Sequence, residues 1–203
     1  MSEIRFDSPL AGQVALRNLS VSITEIVDRG MIDLRGDPNA ASFAAAVNSV
    51  LGVSLPRVPR SSVASGELSV LWLSLDQWLV QCPRSEVSKL ARRLKVVLAG
   101  TPSLAVDMSD ARAIIRLQGD GVRELVMKGS PVDLMASNFR QGSVRRLRFG
   151  EVAAMVHLVG EDPDVLDLYV FRSYAVFAWE WLIATSGEAA QVRLFQPQAA
   201  PIA

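Results

Sequence analysis

The sequence is poor in the groups that do chemistry. Its 203 residues include one cysteine, Cys82, and one histidine, His157. A single cysteine cannot close an internal disulfide. Neither residue type is numerous enough for a cysteine-rich zinc or iron–sulfur centre, or for a multi-histidine metal site. Net charge is missing too, because 21 Lys and Arg balance 21 Asp and Glu. No global field therefore draws the chain onto nucleic acid or an anionic membrane. There is no G-x-x-x-x-G-K-[ST] phosphate loop and no G-x-G-x-x-G turn; GDG at Gly119–Gly121 lacks the third glycine and reads as a plain strand-to-helix turn. The longest uncharged run, 39–56, is interrupted by Asn39, Ser42, Asn48 and Ser49 and is too polar to span a bilayer. The opening MSEIRFDSPL has no apolar stretch of the secretory kind, which predicts a soluble, cytoplasmic chain.

What the sequence does have is apolar surface. Half of the residues are hydrophobic and 21% are charged, the balance of a folded globular chain. The apolar residues are arranged in a repeat. MIDLRGDPNAASFAAAVNSVLGVSL, from Met31, and IIRLQGDGVRELVMKGSPVDL, from Ile114, each run from an alternating strand through Gly-Asp into a helical pattern. GELSVLWLSLDQWLVQCPRSEVSKLARRL, from Gly66, and GEVAAMVHLVGEDPDVLDLYVFRSYAVFAWEWL, from Gly150, each open on Gly-Glu, run as two strands and meet Arg-Ser before a helix. The Gly-Asp pairs lie 83 positions apart and the Gly-Glu pairs 84. A near-constant offset over two blocks is the signature of a duplication.

The first half reads as strand 31–35, helix 39–51, strand 67–74, strand 77–82, helix 85–99 and strand 104–108. The second reads as strand 112–118, helix 120–128, strand 146–159, strand 165–171, helix 173–185 and strand 191–195. An earlier strand within 13–26 is expected at a sheet edge. Both halves are βαββαβ, so the expected fold is α+β with duplicated split-βαβ halves. They form one domain, 1–203, with halves at about 14–108 and 109–196 and short tails at both ends. Ser85 and Ser173 are placed to cap helix starts, and Gly100 and Gly187 to stop helices. Val87, Leu90, Leu94, Val97 and Leu98 form an apolar stripe at helical spacing.

The candidate chemical groups are each better explained by packing. Trp72 shares a strand face with Val70 and Ser74, and Trp78 with Val80 and Cys82, so both tryptophans and the thiol are expected in a core. His157 sits inside the strand pattern VAAMVHLVG with no nucleophile motif around it. Asp107 and Asp110 lie near Arg112, which makes an ion pair or a turn cap the expectation over acid–base work. FRQGSVRRLRFG carries Arg140, Arg145, Arg146 and Arg148; along a strand Arg146 and Arg148 share one face and Arg145, Leu147 and Phe149 the other. A solvated face, or a patch that salt-bridges a partner, is expected ahead of nucleic-acid binding. The last helix, SYAVFAWEWLIATSG, has Tyr174, Phe177 and Trp181 in one stripe and Val176, Trp179 and Ile183 in another, with Glu180 its only charge. A helix apolar nearly all round is buried between elements or meets another protein.

VDMSDARAIIRLQGDGVRELVMKGSPVDL, FRQGSVRRLRFGEVAAMVHLV, LDLYVFRSYAVFAWEWL and SVLWLSLDQWLVQCP together resemble the gamma-subunit family of heterotetrameric sarcosine oxidase, over roughly residues 15–190. That family is related to the folate-binding aminomethyltransferase fold. The resemblance implies a non-catalytic, structural subunit of a flavin-dependent complex with alpha, beta and delta partners. The complex oxidatively demethylates sarcosine to glycine, passes the one-carbon unit to tetrahydrofolate and forms hydrogen peroxide. It implies no cofactor in this chain, with FAD, FMN, NAD, tetrahydrofolate and zinc belonging to the partner subunits. It assigns no catalytic, cofactor or metal residue here; where the family often has a cysteine and a histidine, this chain has Ser130 and Met135. The residues expected at a partner interface are Tyr174, Phe177, Trp179, Trp181, Arg146 and Arg148. Two alternatives are a gamma-like subunit of a related N-methyl amino acid dehydrogenase and a free-standing folate-binding aminomethyltransferase-like protein.

Overall fold

A computed structural model describes residues 7–17 and 21–187. Two antiparallel sheets lie face to face, and helices cover their outer faces. In chain order the elements are β1 (Leu16–Arg17), β2 (Ser22–Ile26), β3 (Arg29–Gly36), α1 (Ala41–Leu51), β4 (Ser62–Ser65), β5 (Leu68–Ser74), β6 (Gln77–Pro83), α2 (Val87–Val97) and β7 (Ser103–Asp107). They continue with β8 (Arg112–Gln118), α3 (Val122–Met127), β9 (Val144–Phe149), β10 (Val152–Gly160), β11 (Val165–Phe171) and α4 (Ala175–Thr185). One sheet has the order β4-β5-β6-β3-β7 and the other β1-β2-β8-β11-β10-β9.

Strand alternation sorts the side chains into three layers. In the first sheet Ile32, Leu34, Val70, Trp78, Val80 and Cys82 face α1 and α2, where Phe43, Val47, Leu90 and Leu94 meet them. In the second, Ile115, Leu117, Val156, Leu168 and Val170 face α3 and α4. The opposite faces of both sheets make the third layer: Met31, Leu71, Leu73 and Leu79 from one pack on Ile114, Val144, Met155 and Tyr169 from the other. Tyr169 is fully buried, and its hydroxyl donates across the layer to Gln81 Oε1 at 3.1 Å. Ser69 donates to the same oxygen at 3.0 Å.

The two Gly-Glu pairs are turns. Gly66-Glu67 joins β4 to β5 and Gly150-Glu151 joins β9 to β10; the glycines have φ of +58° and +54°, where a Cβ is disfavoured. The single expected strand 146–159 is therefore two strands folded on Gly150. The strand before Gly66, β4, has no counterpart among the expected elements. β2 lies inside its sheet, between β1 and β8, rather than at the edge. There it occupies the place beside β8 that β7 occupies beside β3. The expected strand 191–195 lies outside the described residues.

Both α2 and α4 are entered through a 3-10 turn, Arg84–Glu86 and Arg172–Tyr174, in which Ser85 and Ser173 sit; neither helix start has a side-chain cap bond. Gly100 takes φ +80° after α2 as a left-handed stop, but α4 ends on Ser186 in right-handed conformation, with no such stop at Gly187.

The middle layer should dominate stability. Leu71→Ala is expected to cost about 2–5 kcal/mol in urea unfolding, because neighbours from two sheets cannot close the cavity. Val96→Ala, on the exposed face of α2, is expected to stay within about 0.5 kcal/mol.

Candidate interaction surface

Helix α4 divides by face. Ala175, Ala178, Trp179 and Leu182 point into the core, Trp179 with only 3% of its surface exposed. Tyr174, Val176 and Phe177 point out, at 44%, 42% and 38% exposed. Trp181 is half-buried edge-on against Phe149, with ring centroids 4.7 Å apart. Of the four aromatic residues expected at an interface, Trp179 is thus a core residue: the helix sits on its sheet through this side chain. Phe171, at the end of β11 and 41% exposed, extends the apolar surface. The Arg112 guanidinium lies 4.6 Å over its ring. Phe177 closes over the β9–β10 turn, where a Cβ on Gly150 would come within 3.0 Å of the ring.

The arginines of β9 separate in space. Arg148 joins the surface of α4 through that turn: it donates to Gly150 O at 2.9 Å and pairs with Glu151. Arg145 lies 5.3 Å from the Phe139 ring and donates to backbone carbonyls of Val144 and Asn138. Arg146 is exposed and lines a cleft with Arg60 and Trp72 instead. Arg140 approaches Glu161 at 3.8 Å. The row of basic residues is therefore not one continuous positive face.

His157 belongs to the middle layer. Its Nε2 lies 2.8 Å from Ser62 Oγ. Ser62 donates its only proton to Gly142 O at 2.9 Å, so the proton between them sits on Nε2 and Nδ1 is left as an acceptor. Nδ1 is buried without a partner. Burial pushes the imidazole pKa down to about 4, against the opposing pull of Asp167, while Arg116 adds to the lowering. Asp167 faces His157 across the β10–β11 pair, but both of its oxygens are held by Arg116, at 2.7 and 2.9 Å. Ser62, His157 and Asp167 therefore do not form a relay, and the histidine is neutral at pH 7.

The remaining candidates resolve into structure. Cys82 is 3% exposed, and burial, with Asp107 and Glu86 nearby, raises its thiol pKa to about 11. It stays protonated and unreactive. Trp78 is buried and donates Nε1–H to Pro56 O at 2.9 Å. Asp107 accepts from Ser109 N at 3.0 Å and Oγ at 2.6 Å, and Asp110 pairs with Arg84. Neither carboxylate bonds Arg112, the partner their spacing suggested. One buried network had no signal in the sequence. Arg123 of α3 binds Asp164 at 2.6 and 2.8 Å, Glu161 at 3.1 Å, and the carbonyls of Leu134 and Phe139, both at 3.1 Å. Its five donors pin the irregular segment 128–143 to the β10–β11 tip.

The sequence model of the sarcosine oxidase gamma subunit family matches residues 35–188, most of the chain. The chain belongs to this family. Curated relatives agree along nearly the full length. The sarcosine oxidase subunit gamma of an Arthrobacter species is 29% identical over 185 residues, covering 90% of this chain and 85% of that one. The corresponding subunit of Corynebacterium sp. strain U-96 is 26% identical over 173 residues, covering 83% and 80%. Among solved structures, a chain of the heterotetrameric sarcosine oxidase of Corynebacterium sp. U-96 superposes with TM-score 0.83 at 20% identity, covering 95% of this chain and all of that one. The aminomethyltransferase T of the Bartonella henselae glycine cleavage system superposes with TM-score 0.61 at 13% identity, over 82% of this chain and 46% of that one. The aminomethyltransferase relation expected from the sequence is thus present at the level of the fold.

The neutral His157 makes acid stability predictable. Its folded pKa, about 4, lies below the ordinary 6.5. Unfolding therefore takes up a proton between these values, and stability present above pH 6.5 is lost as pH falls toward 4. From pH 6.5 to 5 the loss is expected to be roughly 1.5 kcal/mol, read as the urea midpoint. His157→Gln should flatten the profile in that window; an unchanged slope would assign the acid sensitivity elsewhere.

Proposed function

We propose that this chain is the gamma subunit of a four-subunit sarcosine oxidase, and that it works by binding its neighbours rather than by catalysis. The family match over residues 35–188 carries the reading. The outward face of α4 supports it: Tyr174, Val176 and Phe177, with Phe171, leave large apolar side chains in water beside one another. The surface that meets the alpha, beta or delta subunit is this face, extended by Arg148 and the edge of Trp181. The complex demethylates sarcosine to glycine, with the one-carbon unit passed to tetrahydrofolate and hydrogen peroxide formed, in the cytoplasm. FAD, FMN, NAD, tetrahydrofolate and zinc act on the partner subunits. Among the described residues no group of three or more His, Cys, Asp or Glu comes together. No helix among them is long and apolar enough to cross a membrane.

The architecture is read as one domain of two duplicated split-βαβ halves. In support, β5-β6-β3-β7 and β10-β11-β8-β2 are equivalent strand orders, and both second helices begin with a 3-10 turn carrying Arg-Ser. In the second half, β2 supplies from the N-terminal side the strand that β7 supplies in the first. Duplication with a bracing role explains why the middle layer is filled with side chains from both halves.

Co-expression with the three partner subunits tests the assignment. Phe177→Asp is expected to lower the yield of co-purified complex at least several-fold while the purified chain keeps its urea midpoint. Trp179→Asp is expected to lower the midpoint itself, since it buries a charge in the core. Full recovery of complex with Phe177→Asp would remove α4 as the docking face.

A further inference from the structure

At the seam between the halves the edge strands β4 and β9 meet. Ser61 and Ser143 form an isolated antiparallel bridge there, and Val144 N donates to Arg60 O at 2.8 Å. Arg60 is held at φ +65°, a backbone conformation disfavoured for a non-glycine residue. Beside this join opens a cleft of about 490 Å³, walled by Arg60 and Trp72 from the first half and by Asp133, Asn138, Arg145 and Arg146 from the second. The volume is that of a small-ligand site.

The cleft gathers three arginines that stand outside the ion pairs of the described residues. Arg84, Arg116, Arg123, Arg140 and Arg148 each have a carboxylate partner. Among the described residues none pairs with Arg60, Arg145 or Arg146. Asp133, the one acid in the wall, turns Oδ1 to its own loop, where it accepts from Met135 N at 2.8 Å. Burial and then the charge of Arg60 lower the pKa of Arg145. Three guanidiniums share the cleft with one carboxylate and no ion pair, a net positive site that an entering anion stabilises.

We propose that this seam cleft is a binding site for a compact polyanion of the di- or triphosphate class, gripped by Arg60, Arg145 and Arg146 with Trp72 as one wall. A single carboxylate would neutralise one of the three charges. A diphosphate carries several acceptor oxygens and enough charge for all three. Because Arg60 belongs to one half and Arg145 and Arg146 to the other, the bound anion ties the halves together at the β4–β9 join. The site is independent of the face of α4 and of the assignment to a sarcosine oxidase.

The half-buried Trp72 indole reports on the cleft. Titration of the full chain, purified alone and in complex with its partner subunits, would use inorganic pyrophosphate in one arm and adenosine diphosphate in the other. Saturable fluorescence change with pyrophosphate is expected, absent in Trp72→Phe. Saturation with both probes identifies the phosphate group itself as the ligand; much tighter binding of adenosine diphosphate identifies a nucleotide. Arg60→Ala and Arg146→Ala are each expected to weaken binding about tenfold or more, with a urea midpoint near that of the parent chain, and the affinity should fall as salt rises. Three outcomes overturn the proposal: no saturable change with either probe at millimolar concentration, affinity untouched by both arginine replacements, or binding by the isolated chain that disappears in the complex. The last would give the cleft to an acidic segment of a partner.

Discussion

The structure depends on one layer of side chains pressed between two sheets. Each sheet buries its outer face under its own pair of helices, and neither half needs the other to do so. What makes the two halves one body is the inner layer, where Met31, Leu71 and Leu79 meet Ile114, Met155 and Tyr169. The layer is dry except for a few polar groups, and those are satisfied across it: Tyr169 and Ser69 share Gln81 Oε1. Such a bond contributes about 1 kcal/mol, but leaving Gln81 unpaired would cost more. The polar contacts therefore set the register of one sheet on the other more than they add stability.

At its rim the layer changes character. Ser62 and His157 close it beneath the Ser61–Ser143 bridge, and Arg116 with Asp167 continue it toward solvent. His157 is kept neutral there chiefly by burial, helped by the charge of Arg116 and opposed by that of Asp167. The same rim carries the arginine cleft, so the groups that join the halves and the groups that gather positive charge occupy adjacent ground.

The chemical side chains of this protein are mostly taken up by its own structure. Cys82, Trp78, Asp107 and Asp110 are all accounted for by packing, turns or ion pairs. His157 is accounted for but for its bare Nδ1. The outward face of α4 is different, because Tyr174, Val176 and Phe177 remain partly exposed apolar groups among the described residues. That face is the one proposed above to meet a partner subunit.

Periodicity within the sequence carried most of the strands and helices between residues 31 and 185, the Gly-Asp and Gly-Glu offsets, and the core placement of Trp78 and Cys82, but not β4. These are contacts between residues two to four apart, or the same pattern written twice, so a linear reading reaches them. It also found an apolar helix at 173–185 but could not divide its faces, because Trp179 and Phe177 are equally hydrophobic and only the sheet beneath decides which turns inward. The split of 146–159 at Gly150, the insertion of β2 beside β8, the burial of His157 against Ser62, and the meeting of Arg60 with Arg145 and Arg146 were decided by tertiary structure. Each joins residues about 85 or more positions apart, or lets a turn glycine override a strand pattern. No local spacing encodes such meetings; they follow only from how the two sheets come to rest on one another.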